Sequence, residues 1–186
     1  MYKLCKTEQS AMRQKSLEEG LLLAMQTQRY EDISVSDLCN HIGVPRKSFY
    51  RYFDSKEGAL HALMDHRMML FEDAYFSNDT YKNSVLSLQS FFAFWITQKD
   101  LLDALERSGI SALLVERAMT HSPGDTFLRA SVNQHATESQ DEAIRFLVCG
   151  LMTLMLRWYK SGFALTPEEM AEKARGILTV PLLKNL

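Results

Sequence analysis

The segment from Val35 to Phe53 places the strongest constraint on what this chain can fold into. Gly43, near its middle, favours a left-handed turn because glycine has no Cβ to clash there. Pro45 cannot continue a preceding helix, but it fits the first turn of a new one. The pattern predicts two short helices joined by a tight turn, a helix-turn-helix, whose second helix typically enters the major groove of DNA. The buried face predicted for the first helix consists of Val35, Leu38, Cys39 and Ile42.

Positive charge is concentrated in the second half of this segment. The whole chain of 186 residues has a net charge of −2, which does not indicate a nucleic-acid partner. A local basic patch, however, matters more for phosphate attraction than the net charge does. Such a cluster can also be an ordinary solvated face, and its position on a helix-turn-helix favours the DNA-binding interpretation. Between His41 and Lys56 the one acidic residue is Asp54, and the basic residues are Arg46, Lys47, Arg51 and Lys56.

A specific order of residues runs from this turn into the next segment: Gly43, Val44, Ser48, Phe49, Tyr50, Tyr52, Phe53, Ser55, Lys56 and Glu57. This order is similar to the recognition helix and following segment of the TetR family of one-component transcriptional regulators. The likeness covers about the first third of the chain. The remainder resembles the family in its helical layout and in its C-terminal pattern, a long apolar helix followed by WYKSGF and a capped helix.

The resemblance implies a DNA-binding surface on the second short helix. It places Lys47 and Ser48 near base edges and Arg46 near bases or phosphate. It places Tyr50 and Lys56 on phosphate. These roles suit the chemistry, because Arg and Lys donate to guanine acceptors and a hydroxyl can serve a base edge or a phosphate. The full predicted DNA-binding set is Ser36, Arg46, Lys47, Ser48, Tyr50, Tyr52 and Lys56.

No alternation typical of a β-strand persists along the sequence, so the predicted fold class is all-α. The predicted organisation is an N-terminal three-helix head, a helix-turn-helix DNA-binding domain in residues 1–54, followed by a larger helical effector-binding and dimerisation domain in residues 55–186. A helix at 55–75 is expected to connect the two. The polar segment 120–140 is expected to be a mobile or partly irregular connection.

The predicted long helix from 139 to 161 is apolar on nearly every side. A surface helix would show a polar face, so this one must be covered on both sides. Central burial in a monomer is one explanation. The family's dimers pair their last two helices, so the resemblance implies that a second copy covers one side and sets two reading helices ~34 Å apart on DNA. The predicted dimer interface is Ile144, Leu147, Val148, Leu151, Leu154, Trp158, Met170, Ala174 and Ile177.

Large aromatic and methionine side chains in the predicted body could line a cavity for a small molecule. Side chains of this kind at helical spacing more often form a core, and the resemblance is what raises the expectation of a cavity. The predicted effector pocket is Phe91, Trp95, Met152, Met155 and Tyr159. The predicted function is a dimeric transcriptional regulator, a repressor released from a palindromic DNA operator by a small-molecule effector. An activator and a regulator controlled by a protein partner are the alternatives.

A helical metal-dependent enzyme is a further hypothesis for this sequence. His61 and Asp65 share a helix face at i, i+4, but His66 points elsewhere. The sequence contains no phosphate loop, nucleophile elbow or HExxH motif. We therefore predict that the protein is not an enzyme and that it uses no cofactor or metal.

The composition, with 46% hydrophobic and 24% charged residues, is that of a soluble globular chain. The most apolar run, 143–156, contains Arg145 and is too short to span a bilayer. Residues 1–15 are polar and do not resemble a signal peptide. The three cysteines are odd in number and far apart, which argues against a disulfide framework and suits a reducing cytosol. We predict a cytoplasmic protein.

Overall fold

The computed structural model describes residues 1–3, 5, 7–77, 84–120 and 138–179, and its side chains are described except at 72–77, 84–87, 138–141 and 144. In these ranges the backbone is helical apart from turns and one isolated β-bridge, which confirms the predicted all-α class. No helix among them is both long enough and apolar enough to cross a membrane. The helices are α1 (Glu8–Met25), α2 (Val35–Ile42), α3 (Arg46–Tyr52), α4 (Lys56–Ser77), α5 (Ser84–Thr97), α6 (Lys99–Arg107), α7 (Ala112–Thr120), α8 (Glu138–Lys160) and α9 (Pro167–Thr179).

The chain divides into two compact units. The first consists of Met1–Met68 together with Asp100–Arg117, and the second consists of Met69–Lys99 together with Ala118–Leu186. The first unit therefore holds the helix-turn-helix and also most of α6. The predicted domain boundary between residues 54 and 55 stays a prediction.

In the first unit, α1 packs one apolar face against α2. Leu17, Leu21 and Met25 are almost completely buried along that face, as their helical spacing indicates. Gly20 lies where the two helices approach most closely, because a Cβ built on it would stand 2.3 Å from Ile42 Cδ1. The absence of a side chain at this position allows α2 to lie close to α1, and α2 in turn determines where α3 begins.

Polar contacts attach α6 to the helix-turn-helix within the same unit. A 3-10 turn, Tyr30–Asp32, joins α1 to α2, and the Tyr30 N–H donates to Ser108 Oγ at 2.9 Å. The Gln26 side-chain amide donates to the Asp100 carbonyl at 2.9 Å. The first bond gives the backbone N–H of Tyr30 a partner, and the second connects the residue that follows α1 to the first turn of α6.

A buried ion pair joins α4 to α7. Arg117 Nε donates to Asp65 Oδ1 at 3.0 Å, and a second nitrogen of the guanidinium contacts Asp65 Oδ2. The two side chains are 8% and 2% exposed. The Tyr2 hydroxyl also donates to Asp65 Oδ2, at 2.9 Å. A buried charge is tolerated only when it is paired and hydrogen-bonded, so this cluster holds α4, α7 and residue 2 in one arrangement.

The second unit has an aromatic core. Within it α5 packs along α9 and touches α8. The rings of Phe92 and Trp158 meet edge to face at 5.4 Å, and Phe163 lies 4.7 Å from Trp158 on the other side. The Trp158 indole N–H donates to the Leu165 carbonyl at 3.0 Å. Aromatic pairs of this geometry add to the stabilisation that burial of their area provides.

Both ends of the connection between α8 and α9 follow local sequence signals. Gly162 has a φ of 72°, in the left-handed region that ends helices. The Thr166 N–H donates to Glu169 Oε2 at 2.8 Å, and the Glu169 N–H donates to Thr166 Oγ1 at 3.2 Å. This is the capping box expected from Thr-Pro-Glu-Glu. The predicted irregular segment 120–140 lies outside the described residues except at its two ends.

Candidate DNA-binding surface

The tight turn of the helix-turn-helix forms as the sequence predicts. Ser34 caps α2, because its Oγ accepts the backbone N–H of Asp37 at 3.0 Å. Gly43 ends α2 with a φ of 74°. The Val44 N–H then donates to the Cys39 carbonyl at 2.9 Å, which satisfies a carbonyl at the helix end. This geometry reverses the chain over a very short span and fixes the direction in which α3 leaves.

The start of α3 differs by one position from the prediction. Pro45 precedes the helix as its N-cap instead of occupying its first turn, with φ −64° and ψ 142°. This extended ψ leaves its carbonyl free to accept the Ser48 N–H at 2.8 Å. Arg46 is therefore the first helical residue, and its side chain leaves the helix at the end nearest the turn.

One face of α3 is anchored in the core of the first unit. Phe49 and Phe53 are 0% exposed, and their ring centroids are 5.1 Å apart. The sequence pattern predicts both residues as anchors rather than DNA contacts. Two large buried rings at i, i+4 leave the helix little freedom to rotate, so its opposite face has a defined orientation.

The opposite face of α3 is basic and exposed. Four exposed side chains share it at positions i, i+1, i+4 and i+5: Arg46, Lys47, Tyr50 and Arg51. An Arg46 guanidinium nitrogen lies 3.4 Å from the Tyr50 hydroxyl, and its central carbon lies 5.9 Å from the ring centroid. The face carries no carboxylate, and all of its polar groups are donors that suit phosphate and guanine. The predicted DNA-binding set omits Arg51, although its i+4 spacing from Lys47 is visible in the sequence.

Three other members of the predicted set are less exposed. Ser36 on α2 and Ser48 on α3 are half-buried. Tyr52 is 5% exposed, and its ring lies 6.3 Å from that of Phe53. Tyr52 therefore packs in the core and presents little surface to a ligand, while the two serines keep part of their surface accessible.

Lys56, predicted to bind phosphate, is engaged inside the protein. Its ammonium donates to the carbonyls of Tyr30 and Ile33 at 2.6 Å and to that of Glu31 at 3.2 Å. It also lies 4.3 Å from the Tyr30 ring centroid. Burial lowers its pKa. Since an ammonium has three donors, these carbonyls use all of them. Lys56 thus holds the 3-10 turn against the start of α4, and a phosphate contact by it stays a prediction.

The residues predicted to form an effector pocket all lie in the second unit. Phe91 and Trp95 on α5 are buried, with ring centroids 6.3 Å apart. Met152 and Met155 on α8 are also buried, and Tyr159 is half-buried. They belong to the aromatic core described above, and their role in binding a ligand stays a prediction.

The residues predicted to form a dimer interface fall into two groups. The first group is buried within a single chain: Leu151, Trp158, Met170 and Ala174. The second is half-buried or exposed: Leu147, Val148, Leu154 and Ile177. The side chain of Ile144 lies outside the described residues. Two further apolar residues of α8 and α9, Phe146 and Leu178, are 76% and 52% exposed but do not belong to the predicted interface.

Two of the three residues considered for a metal site are bonded to other side chains. Asp65 is paired with Arg117, and His66 Nδ1 lies 2.8 Å from Glu18 Oε2. His61 Nε2 is buried without a hydrogen-bond partner. Among the side chains that the structure describes, no three His, Cys, Asp or Glu residues come together as a metal-binding group.

Residues 24–63 match the sequence profile of the family described as bacterial regulatory proteins, tetR family. The matched residues run from the end of α1 through the helix-turn-helix into α4, the elements that carry the basic face. Residues 24–63 therefore form a DNA-binding domain of the tetR-family type. The chain that carries this domain is a DNA-binding transcriptional regulator. None of the curated proteins matches it in sequence.

Solved structures are similar to this chain in fold over nearly its whole length. The fatty acid degradation regulator FadR from Bacillus halodurans matches with a TM-score of 0.59 at 15% identity, over 96% of this chain and 98% of that one. The dihydroxyacetone kinase operon activator DhaS matches with a TM-score of 0.59 at 16% identity, over 90% and 94%. A TetR transcriptional regulator from Rhodococcus sp. RHA1 matches with a TM-score of 0.59 at 17% identity, over 95% and 100%. At these identities the likeness shows a shared fold.

Proposed function

We propose that this TetR-family protein is a homodimeric repressor that binds a palindromic operator through α3 and leaves it when a small molecule binds. The observation that carries the proposal is the outward face of α3, where Arg46, Lys47 and Tyr50 are exposed while the other face is anchored by buried rings. A rigidly supported helix can present side chains to the major groove without losing their register. We also propose that the protein acts in the cytoplasm, because the DNA that it is proposed to bind lies in that compartment.

The side chains of this face are assigned either to base edges or to phosphates. We assign Lys47 and Ser48 to base edges, since both lie in the N-terminal part of α3, the part of a recognition helix that usually contacts bases. We assign Arg46, Tyr50 and Arg51 to phosphates or to bases beside them. Phosphate contacts position the protein, and base contacts determine which sequence it selects.

Two substitutions on this face test the assignment. Lys47→Ala should cost about 1–3 kcal/mol of binding free energy on the operator and relax its sequence preference. Tyr50→Ala should weaken binding to all sequences. Lys173→Ala, which removes an exposed lysine of α9 in the second unit, is the control. Fluorescence anisotropy on a DNA site selected from a random pool measures all three, and wild-type binding by both α3 variants would contradict the assignment.

Exposed apolar residues on α8 and α9 support the proposed dimer. Phe146 is 76% exposed, Ile177 is 42% exposed and Leu178 is 52% exposed. Gly150 on α8 and Gly176 on α9 have open space where a side chain would be. Isolated apolar residues need no explanation, but several on two helices indicate a contact surface. We therefore centre the proposed interface on these residues and on Leu147 and Leu154, instead of on the buried group.

Light scattering during size-exclusion chromatography tests the dimer. The wild-type protein should elute with twice the mass of the chain. The double variant Phe146→Glu, Ile177→Glu should elute as a monomer, because it places charges in an apolar contact. Met12→Glu, which changes an exposed methionine of α1 (64% exposed), should leave the dimer intact. A double variant that remains dimeric would remove this surface from the proposal.

The second unit is where we place the effector. Its two tryptophans, Trp95 and Trp158, are the only ones in the sequence, and they are 2% and 4% exposed. A small molecule that enters the core near α5 should therefore change the tryptophan fluorescence. The ligand would shift the protein toward a state with lower operator affinity by binding that state more tightly. Screening small molecules by fluorescence, with Trp158→Phe to separate the two signals, tests this part of the proposal.

An activator is the second candidate, because DhaS, which shares the fold, is described as an operon activator. A transcription assay on the promoter that carries the selected site separates the two: the proposed repressor lowers transcript yield, whereas an activator raises it. The family membership favours a regulator over an enzyme. Metal analysis of the purified protein checks this, since a stoichiometric metal would revive the enzyme hypothesis.

A further inference from the structure

Residues 1–3, the N-terminal arm, pair with the residues that end the recognition helix α3. Tyr2 and Phe53 form an antiparallel β-bridge. The Lys3 N–H donates to the Tyr52 carbonyl at 2.9 Å, and the Asp54 N–H donates to the Met1 carbonyl at 3.1 Å. Since Tyr52 is the last residue of α3, the arm runs back from the following loop toward the helix and brings Lys3 beside its C-terminal end.

The side chain of Tyr2 and a glycine of α4 hold the arm in this position. The Tyr2 hydroxyl donates to Asp65, which is itself fixed by Arg117, and its ring lies edge to face with His66 at 5.6 Å. The Met1 carbonyl lies against Gly58, where a Cβ would stand 2.3 Å from the carbonyl oxygen. Any other residue at 58 would push the arm away, so the arm has a defined place on the first unit.

Lys3 points away from this anchor. Successive side chains of an extended segment point to opposite sides, so an inward Tyr2 places Lys3 outward, and Lys3 is exposed. Its backbone N–H bonds to Tyr52, which follows the exposed Arg51 in the chain, while the backbone N–H of Asp54 bonds to the other end of the arm. Lys3 therefore adds a positive charge near the C-terminal end of α3.

We propose that the arm is a second DNA-binding element, in which Lys3 binds a backbone phosphate beside the C-terminal end of α3 and Tyr2 positions it. This inference rests on the proposed function, in which α3 lies in the major groove. The contact adds affinity without reading sequence. Because the arm is already ordered against α4, little conformational entropy is lost when it binds.

The dependence of DNA binding on salt tests this element. A lysine that binds a phosphate displaces counterions from the DNA. Lys3→Ala should therefore reduce the magnitude of the negative slope of log K against log salt by about 0.9 per arm, roughly 2 for a dimer. It should weaken binding to selected and random DNA equally. Lys3→Arg should restore the slope, and Lys173→Ala should leave it unchanged. Thermal melts should be the same for all of these, since both lysines are exposed.

Tyr2→Phe tests the positioning role. This variant keeps the ring and removes the hydrogen bond from the hydroxyl to Asp65. It should reduce the magnitude of the salt slope by less than Lys3→Ala does. A wild-type slope would overturn the positioning role of Tyr2. If Lys3→Ala keeps the wild-type slope while Lys47→Ala weakens operator binding, the arm is not a DNA contact and the proposed function stands. If both lysine variants bind as wild type, the proposed function fails together with the arm.

Discussion

The two units bury different kinds of side chain. The interior of the first includes the charged and polar residues Gln14, Glu18, Asp65 and Arg117. Among its described residues, the interior of the second holds the large rings of Phe91, Phe92, Trp95 and Trp158 and includes Gln98 as a buried polar residue. The first unit carries the proposed DNA-binding face, and the second is where we place the effector.

This difference matches what each unit is proposed to do. A bidentate pair such as Arg117 with Asp65 is satisfied in one geometry, so it specifies a single arrangement of the elements that it joins. An apolar core is held by buried area and tolerates changes of shape at modest cost. A unit that must hold α3 in register benefits from the first kind of interior, and a unit that must admit a small molecule benefits from the second.

Breaking the buried pair should have the largest effect. Arg117→Met leaves Asp65 charged and buried without its partner, which should lower the free energy of unfolding by about 3–5 kcal/mol. The double variant Asp65→Leu, Arg117→Met should lose less, since no unpaired charge remains. Urea denaturation measures both, and a loss under about 1 kcal/mol for Arg117→Met would argue that the pair does not specify the first unit.

Reshaping the aromatic core should cost less. Phe92 is 0% exposed and contacts Trp158. Phe92→Leu should lower the free energy of unfolding by about 1–2 kcal/mol, because the neighbouring rings can partly fill the space. Met12→Leu, at a position of α1 that is 64% exposed, is the control. If Phe92→Leu lowered the free energy of unfolding as much as Arg117→Met does, the proposed difference between the two interiors would be wrong.

Two histidines of the first unit should give it opposing responses to pH. The hydrogen bond to Glu18 raises the pKa of His66. The pKa of His61 is lowered mainly by burial and, to a smaller extent, by the charge of Arg117. A raised pKa stabilises the fold at low pH and loses this contribution as pH rises through the folded value. A lowered pKa does the reverse, since unfolding then takes up protons as the pH falls.

The single variants should separate these responses. In His61→Gln, where His66 remains, stability should fall as the pH rises above about 6.5. In His66→Gln, where His61 remains, stability should fall as the pH drops below about 6.5. Urea midpoints on both sides of this pH provide the measurement. Parallel profiles for the two variants would contradict the opposite pKa shifts.

The smallest effect on stability is expected for the exposed contact between Arg46 and Tyr50 on α3. Tyr50→Phe removes the hydroxyl near Arg46 on the surface of α3, and it should change the free energy of unfolding by under about 0.5 kcal/mol. It should still weaken DNA binding, since a donor to phosphate is lost. A loss of stability near that of Arg117→Met would show that α3 depends on its exposed face as well as on its buried rings.

Much of the candidate site could be predicted because its signals are local. Gly43 needs the left-handed turn wherever it lies in the fold, and Phe49 and Phe53 share a helix face by spacing alone. The capping box of Thr166 and Glu169 likewise involves residues three positions apart. The internal contacts of Lys56 and the burial of Tyr52 could not be predicted, because they depend on how other elements pack around these residues. A phosphate contact by Lys56 stays a prediction.

What the sequence determined by itself is the all-α class, the helix-turn-helix and the basic face of α3. These depend on backbone preferences and on side chains within a few positions of each other. Only the tertiary structure decided that Asp65 pairs with Arg117, 52 positions away, and that it accepts a hydrogen bond from Tyr2, 63 positions away. It also decided that Met170 and Ala174 are covered by their own chain. Such partners depend on how all the helices pack, and this is a property of the whole chain that no local pattern contains.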